Sequence, residues 1–264
     1  MSFFVDTHAH LYADQFNEDQ DAMMQRAIKN GVSHFFLPNI DETSIDAMYD
    51  LESRYPGQCF AMMGLHPCSV NKDFGSVLSR MQAQLNVRKF CAIGEIGLDY
   101  YWSTTLKQQQ IEAFRIQCGW AKQLDIPIVI HARDSLDDII ELVRAEKTSN
   151  FRGIFHCFGG SYAQAQQIID LGFLLGIGGV LTFKKANLDT VLEKIDLQNL
   201  VLETDAPYLA PSPYRGKRNE SAYIPIIAQK LADIKQLPVE KIAQITSENA
   251  LNLFGLNFEG IKTS

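Results

Sequence analysis

Short apolar runs alternate with longer amphipathic stretches along the whole chain. Eight of these runs predict strands, at residues 3–5, 33–37, 59–63, 90–93, 127–130, 153–155, 173–177 and 200–202. The intervals between them carry apolar residues three and four positions apart, as in Ala22, Met23, Ala27 and Ile28, which is the spacing of an amphipathic helix. The pattern therefore predicts a repeated unit of one strand followed by one helix.

The predicted strands are continuously apolar, and this feature selects the fold. Alternating polar positions would indicate a sheet with one face in water, whereas continuous runs indicate a parallel sheet covered by helices on both faces. Eight β/α units in about 250 residues match the size of a TIM barrel. We therefore predict an α/β protein in which residues 1–264 form a single (β/α)8 TIM barrel. A doubly wound open sheet is the alternative.

The composition allows a sizeable core and excludes several classes of protein. Hydrophobic residues fill 46% of the 264 positions and the net charge is -7, so the chain is neither disordered nor a basic protein that coats nucleic acid. The five cysteines are scattered without a C-x-x-C pair, which argues against a disulfide framework or a zinc ribbon. No apolar run approaches the ~18 residues of a membrane span. We expect a cytoplasmic protein that is not bound to membranes and has no obligate protein partner.

Residues able to bind a metal ion follow nearly every predicted strand. They are His8, His10, His66, Glu95, His131, His156 and Asp205. A single histidine near an apolar run is usually a buried residue with a satisfied hydrogen bond. In a barrel, however, all these side chains would meet at the rim formed by the carboxyl ends of the strands. So many imidazoles and carboxylates in one place indicate a cation, because without one several polar groups would lack partners.

The first and last strands each contribute candidate ligands. Side chains at i and i+2 of a strand point to the same face, so His8 and His10 can bind one ion. Asp205 can bind metal as an ionised carboxylate and accept a proton from water. The alternative for Asp205 is a turn or helix-capping aspartate. Glu203, two residues earlier, would support the site from a deeper position on the same face.

The fourth predicted strand is followed by an acidic residue between two glycines. Glu95 has two carboxylate oxygens and can bridge two ions, while Gly94 and Gly97 allow the backbone and the metal to come close. His131 and His156 would then complete the shell of the second ion.

Six of these segments carry a family resemblance, in the same order along essentially the whole chain. They are Asp6-Thr7-His8-Ala9-His10-Leu11, Gly64-Leu65-His66-Pro67, Gly94-Glu95-Ile96-Gly97-Leu98-Asp99, Ile130-His131-Ala132-Arg133, His156-Cys157-Phe158-Gly159-Gly160 and Leu202-Glu203-Thr204-Asp205-Ala206-Pro207. Together with Arg215-Gly216-Lys217-Arg218-Asn219, they resemble the TatD family of metal-dependent deoxyribonucleases.

The resemblance implies an amidohydrolase-type TIM barrel that binds two divalent ions. It implies that His8, His10, Glu95 and Asp205 hold one ion, and that Glu95 bridges to a second ion held by His131 and His156. It further implies magnesium-dependent hydrolysis of DNA phosphodiesters, including 3′-to-5′ exonuclease action on single-stranded or 3′ ends. The ligand chemistry leaves magnesium, manganese and zinc open.

Catalysis and substrate binding can be assigned to further residues as hypotheses. Asp205 would orient the attacking water and take its proton, Glu95 would bridge the ions, and His66 would hydrogen-bond the phosphate or the leaving group. Arg133, Lys217 and Arg218 would bind substrate phosphates, although exposed charges of this kind are often only solvated. Five aromatic residues also follow strand ends, where they could either stack on unpaired bases or pack within loops: Tyr100, Tyr101, Trp102, Tyr208 and Tyr214.

Two other functions remain open at this point. A binuclear metal site can also hydrolyse an ester or amide, such as an aminoacyl ester on tRNA or a small molecule. The cationic rim disfavours a small neutral substrate. The third possibility is a non-catalytic scaffold stabilised by metal, but a structural ion prefers a closed shell and needs no bridging glutamate.

Overall fold

The computed structural model describes residues 3–256, in which strands and helices alternate. The strands are β1 (Phe4–Asp6), β2 (Val32–Leu37), β3 (Cys59–Ala61), β4 (Ile93–Asp99), β5 (Ile128–Arg133), β6 (Gly153–Phe155), β7 (Phe173–Ile177) and β8 (Leu200–Leu202). The helices are α1 (Gln20–Lys29), α2 (Ile45–Arg54), α3 (Phe74–Leu85), α4 (Lys107–Leu124), α5 (Leu136–Glu146), α6 (Tyr162–Asp170), α7 (Leu188–Leu192), α8 (Ile224–Lys235) and α9 (Val239–Phe254).

The strands lie in the order of a TIM barrel. β1 to β3 form one parallel sheet and β4 to β8 form another, each with neighbours consecutive in the sequence. A parallel bridge between Met63 and Ile93 joins β3 to β4, and a second between Ala9 and Ala206 joins the segments that follow β1 and β8. Single bridges, rather than continuous ladders, therefore complete the ring. The predicted α/β TIM-barrel fold is confirmed, and the consecutive strand order excludes a doubly wound sheet.

The fourth strand differs most from its prediction. The apolar run predicts a strand at 90–93, but β4 begins at Ile93, ends at Asp99 and is buried along its whole length. The apolar pattern is interrupted by Gly94, Glu95 and Gly97, and glycine is depleted in strands. The pattern therefore does not predict most of this strand. β5 also continues to Arg133, which places His131 inside the strand instead of after it.

A layer of apolar side chains fills the barrel beneath the polar residues. Its members come from successive strands or their ends and are Val5, Phe36, Met62, Ala92, Val129, Ile154 and Val201. Helix α9 closes this layer, and the rings of Phe254 and Phe36 stack with their centroids 3.8 Å apart. Because side chains at i and i+2 share a face, Val129 in this layer places His131 on the inner face above it.

Local sequence sets the ends of several helices. α4 and α8 are followed by Asp125 and Gln236, and α9 by Gly255, all in the left-handed conformation that commonly ends a helix. α6 begins with a capping box, in which the side chains of Ser161 and Gln164 each accept from the other residue's backbone N–H. Within residues 3–256, no helix combines the length and apolar character needed to cross a membrane.

Gly97 provides a test of the contact between β4 and β5. Its φ is +152°, and a Cβ atom there would lie 2.0 Å from the carbonyl oxygen of His131. We expect Gly97→Ala to lower the free energy of unfolding by about 3 kcal/mol, because the backbone of β5 would have to move. Gly119→Ala is the control, since Gly119 lies in α4 with nothing within 4 Å of its added Cβ. Urea unfolding of both variants would measure the difference, and equal stabilities would contradict the argument.

Candidate metal centre

The first group of candidate ligands lies on the segments that follow β1 and β8, the first and last strands, and these segments are hydrogen-bonded to each other. The backbone N–H of Asp205 donates to the His8 carbonyl at 2.8 Å, and that of His10 donates to the Ala206 carbonyl at 2.7 Å. These hydrogen bonds continue the pairing of β1 with β8 beyond the strands themselves. As a result, the Oδ1 atom of Asp205 lies 3.6 Å from Nε2 of both His8 and His10.

A bulge in β4 directs Glu95 into the middle of the site. Ile93 pairs with Ile128 and Ile96 with Ile130, so three residues of β4 span the same length as two of β5. An extra residue of this kind bends a strand and redirects its side chains. The backbone N–H of Glu95 donates instead to the Asn39 carbonyl at 3.0 Å, and its side chain is buried.

The carboxylate of Glu95 divides the histidines into two groups. Its Oε2 atom lies 3.1 Å from Nε2 of His8 and 3.5 Å from Nε2 of His10. Its Oε1 atom lies 2.8 Å from Nδ1 of His131 and 2.9 Å from Nε2 of His156. Asp205 stands with the first group. The six residues predicted as metal ligands are thus brought together. Their ligand atoms also fall into groups that cross the two predicted sets, since His156 lies with His8 and Asp205, and His66 with Glu95 and His131. Metal binding and its division between two sets of ligands stay predictions.

The electrostatics of this cluster show a demand for positive charge. Burial alone would lower the pKa of His10, but hydrogen bonds to Asp205 and Glu95 raise it to about 10. Burial alone would raise the pKa of Glu95, yet the neighbouring His156 and His8 hold it well below its usual range. The pKa of Asp205 is lowered in the same way, chiefly by its hydrogen bond with His10. Both carboxylates, of which Glu95 is buried and Asp205 partly exposed, therefore remain ionised and require cations around them.

The buried Nε2 atom of His8 fits a metal ion better than it fits its protein neighbours. Within residues 3–256, both ring nitrogens of His8, Nδ1 of His156 and Oε2 of Glu203 have no hydrogen-bond partner. Nε2 of His8 is 3.1 Å from Glu95, but the geometry is not that of a hydrogen bond. Orphaned buried atoms of this kind are costly unless something binds them. Imidazole nitrogens and carboxylate oxygens together suit zinc, manganese or magnesium, so the donor set fits divalent metal.

Further residues hold the candidate ligands in place, and sequence reasoning gave two of them no role. Nε2 of His131 lies 2.8 Å from Oδ2 of Asp99, the last residue of β4. Nδ1 of His10 lies 3.2 Å from the hydroxyl of Tyr12, which donates to the Pro38 carbonyl. For Asp99 the sequence offered a signal, because residues at an even spacing in a strand, such as Glu95 and Asp99, share a face. The contact of Tyr12 with His10 depends on a loop whose path the sequence does not reveal.

Glu203, for which the sequence analysis expected a general supporting role, lies beside His156. Its Oε1 atom accepts from the Cys157 backbone N–H at 2.5 Å and lies 3.5 Å from Nδ1 of His156. The carboxylate fits only because residue 176 is glycine, where a Cβ atom would lie 2.1 Å from Oε2 of Glu203. Carboxylates behind metal-binding histidines orient the ring and fix the nitrogen that faces the ion.

His66 differs from the other histidines in its hydrogen bonding. Its Nδ1 accepts from the backbone N–H of Cys68 at 3.0 Å, and burial lowers its pKa. A neutral imidazole that accepts at Nδ1 carries its proton on Nε2. That Nε2 atom lies 3.5 Å from Oε1 of Glu95 and faces the centre as a hydrogen-bond donor. His66 nevertheless forms a group with Glu95 and His131 whose ligand atoms lie within 4.8 Å of one another, so its assignment to substrate rather than to metal stays a prediction.

The three cations predicted to bind phosphate lie in different surroundings. Arg133 is exposed at the end of β5, with its guanidinium 3.6 Å from the ring centre of Tyr101. Lys217 is exposed on the loop after β8. Arg218, in contrast, pairs with both carboxylate oxygens of Asp19 at 2.7 and 2.8 Å and also donates to a backbone carbonyl. The guanidinium N–H groups of Arg218 that make these bonds are therefore already used within the protein. Binding of phosphate by Arg218 stays a prediction.

This centre lies at the carboxyl ends of parallel strands, where TIM barrels carry their active sites. Buried imidazoles and ionised carboxylates at that rim define a metal-dependent hydrolase. A family profile described as TatD related DNase matches residues 5–255. The chain belongs to the TatD family.

Individual relatives agree with the family assignment. The metal-dependent hydrolase YabD of Bacillus subtilis is 37% identical over 96% of this chain and 99% of its own length. A protein of Yersinia pseudotuberculosis named 3′-5′ ssDNA/RNA exonuclease TatD is 32% identical over 95% of this chain and 99% of its own. The crystal structure of YjjV, a TatD homologue of Escherichia coli, superposes with a TM-score of 0.90 at 30% identity, covering 96% and 98% of the two chains.

Asp99 allows the support of His131 to be tested. We expect Asp99→Ala to weaken metal binding about 10- to 100-fold, because the ring would lose the partner that orients it. Metal retained after equilibration against graded chelator concentrations would measure the effect. Asp50→Ala serves as the control, since Asp50 pairs with Arg54 on the surface of α2. An unchanged affinity in Asp99→Ala would contradict the role given to this carboxylate.

Proposed function

We propose that this chain is a metal-dependent deoxyribonuclease that acts as a 3′-to-5′ exonuclease on single-stranded DNA ends. The observation that carries the proposal is the division of the Glu95 carboxylate between two groups of histidines. Phosphodiester hydrolysis is the reaction that such a paired site suits best. The family description and the Yersinia relative's name point to the same class of substrate.

The candidate ligands divide between two ions in this proposal. His8, His10, Glu95 and Asp205 would hold one, and Glu95 would share the other with His131 and His156. Bound divalent ions supply Lewis acidity, lower the pKa of water and neutralise charge on phosphate oxygens.

Asp205 is the residue best placed to receive the proton of the attacking water. Its side chain is 14% exposed, whereas that of Glu95 is 3% exposed, so Asp205 can reach water in the cleft. Its lowered pKa keeps it ionised and able to accept a proton. His66, with Nε2 protonated, would donate to a phosphate oxygen or to the leaving group. Arg133 and Lys217 would contact phosphates farther along the strand.

Cleavage of end-labelled DNA tests the proposal directly. Metal-stripped protein would be supplied with magnesium, manganese or zinc and given single-stranded oligonucleotides labelled at either the 3′ or the 5′ end. We expect metal-dependent release of the 3′ label as mononucleotide and progressive shortening of the 5′-labelled strand. Glu95→Gln should lower the rate by ~10³-fold, because the amide cannot serve both groups of histidines as a charged bridge.

The outcomes separate the candidate functions. Absence of cleavage with every ion would contradict the nuclease proposal, and hydrolysis of an ester or aminoacyl-tRNA panel by the same preparation would replace it. Metal-dependent binding of DNA without cutting would favour a non-catalytic role. Cleavage from the 5′ end would contradict the proposed polarity alone.

His66 can be distinguished from a metal ligand by two measurements on one variant. We expect His66→Ala to lower kcat about 10²-fold through loss of the Nε2 donor while metal content stays unchanged. His131→Ala, which removes a candidate ligand, should lower both kcat and the metal content. Metal analysis and DNA cleavage rates would be compared with wild type. Loss of a metal equivalent from His66→Ala would show that His66 binds metal and would contradict its assignment as a donor.

A further inference from the structure

Two adjacent aromatic residues are exposed immediately after β4. The side chains of Tyr101 and Trp102 form an edge-to-face pair with ring centroids 4.9 Å apart. Tyr101 is 53% exposed and Trp102 is 73% exposed. Scattered apolar residues on a surface need no explanation, but two large rings held together beside a site indicate a binding surface. We call these two side chains the aromatic platform.

The platform is fixed directly to the candidate metal centre. Asp99 uses Oδ2 to contact His131 at 2.8 Å and Oδ1 to accept from the Tyr101 backbone N–H at 3.0 Å. In addition, the backbone N–H of Tyr100 donates to the Arg133 carbonyl at 2.9 Å. One carboxylate thus contacts both a candidate ligand and the backbone of the loop that carries the platform.

The guanidinium of Arg133, from the strand that also carries His131, lies against the rings. The Arg133 guanidinium lies 3.6 Å from the centre of the Tyr101 ring and 5.6 Å from that of Trp102. Arg133 stands two residues beyond His131 in β5, a separation of about 6.6 Å along a strand. By contrast, the nearby Lys107 is paired with Asp138 at 2.6 Å. The platform therefore combines aromatic faces with an exposed positive charge next to the site of hydrolysis.

Of the three other aromatic residues named in the sequence analysis, Tyr208 is also exposed, at 48%, and its ring centroid lies 6.1 Å from that of His10, but it has no second exposed ring beside it in the contacts of residues 3–256. Tyr214 and Tyr100 are less suited to stacking on a base. Tyr214 stacks in parallel on Tyr223 with centroids 4.4 Å apart, so its ring is already covered. Tyr100 is partly buried, lies under Lys107 and donates a hydrogen bond to Asp138. Loop packing accounts for both, but it leaves Tyr101 and Trp102 largely uncovered.

We propose that the Tyr101–Trp102 platform stacks an unpaired base of the DNA substrate while Arg133 binds a neighbouring phosphate. The inference rests on the proposed nuclease function and adds the contact by which the nuclease would select single-stranded DNA. Every base offers an aromatic face, so the contact is independent of sequence. Bases inside a duplex are covered by their neighbours, which makes the platform selective for unpaired ends.

A cycle of protein and substrate changes tests the stacking contact. Single-stranded oligonucleotides would carry one abasic nucleotide, placed in turn at each of the last four positions before the 3′ end. For wild type, we expect removal of one particular base to lower kcat/KM about tenfold. In Trp102→Ala, the intact strand and that abasic strand should be cut equally, because the base has lost its partner. Trp102→Phe should restore most of the difference.

The same cycle distinguishes stacking from a structural role of Trp102. A structural defect would slow cleavage of intact and abasic strands by the same factor and leave their ratio as in wild type, and that result would overturn the proposal. Tyr162→Ala is the matched control, since Tyr162 is another exposed aromatic residue, at the start of α6. It should leave both the rates and the ratio unchanged.

Binding measurements keep the inference testable even if no DNA is cut. The sequence contains two tryptophans, of which Trp120 is only 4% exposed, so fluorescence quenching by a base reports on Trp102. Oligo-dT with phosphorothioate linkages, added to the metal-loaded full chain, should quench the emission of wild type but not that of Trp102→Phe. Quenching without cleavage would overturn the nuclease proposal and retain the platform. Cleavage without quenching, or with an unaltered base-to-abasic ratio, would overturn the platform and retain the nuclease.

Discussion

The structure of this site depends on one buried, ionised carboxylate that two groups of histidines contact from opposite sides. Glu95 is buried, and its two oxygens face different partners. A buried charge is tolerated only when cations and hydrogen bonds surround it. Those partners are placed around this carboxylate by the β4 bulge, by the paired segments after β1 and β8, and by His131 within β5 and His156 directly after β6.

The support for the site extends outward in the same manner. Asp99 contacts His131, Glu203 lies beside His156, and the Tyr12 hydroxyl lies beside His10. Each ring is thereby limited in orientation before any ion binds, which is how outer residues tune metal sites. Asp99 has a second contact, with the loop that carries Tyr101, so one residue connects the orientation of a candidate ligand to the proposed recognition of the substrate.

Much of the fold and of the candidate site was predictable because apolar runs mark buried strands and polar residues mark their ends. Most of β4 was not predicted from the sequence, because glycines and Glu95 break its apolar pattern. Tertiary contacts nevertheless hold these residues in a buried strand. The partner of Arg218 also could not be foreseen, because Asp19 lies far away in the chain and meets it only after folding. Roles that depend on such tertiary hydrogen bonds require the structure.

The most direct test of the central claim is the electron paramagnetic resonance spectrum of the chain loaded with manganese(II). If the Glu95 carboxylate bridges two ions, the protein should bind two manganese ions, and their spectrum should show magnetic coupling that disappears in Glu95→Gln. A single bound ion, or two ions with the spectrum of isolated manganese, would contradict the account.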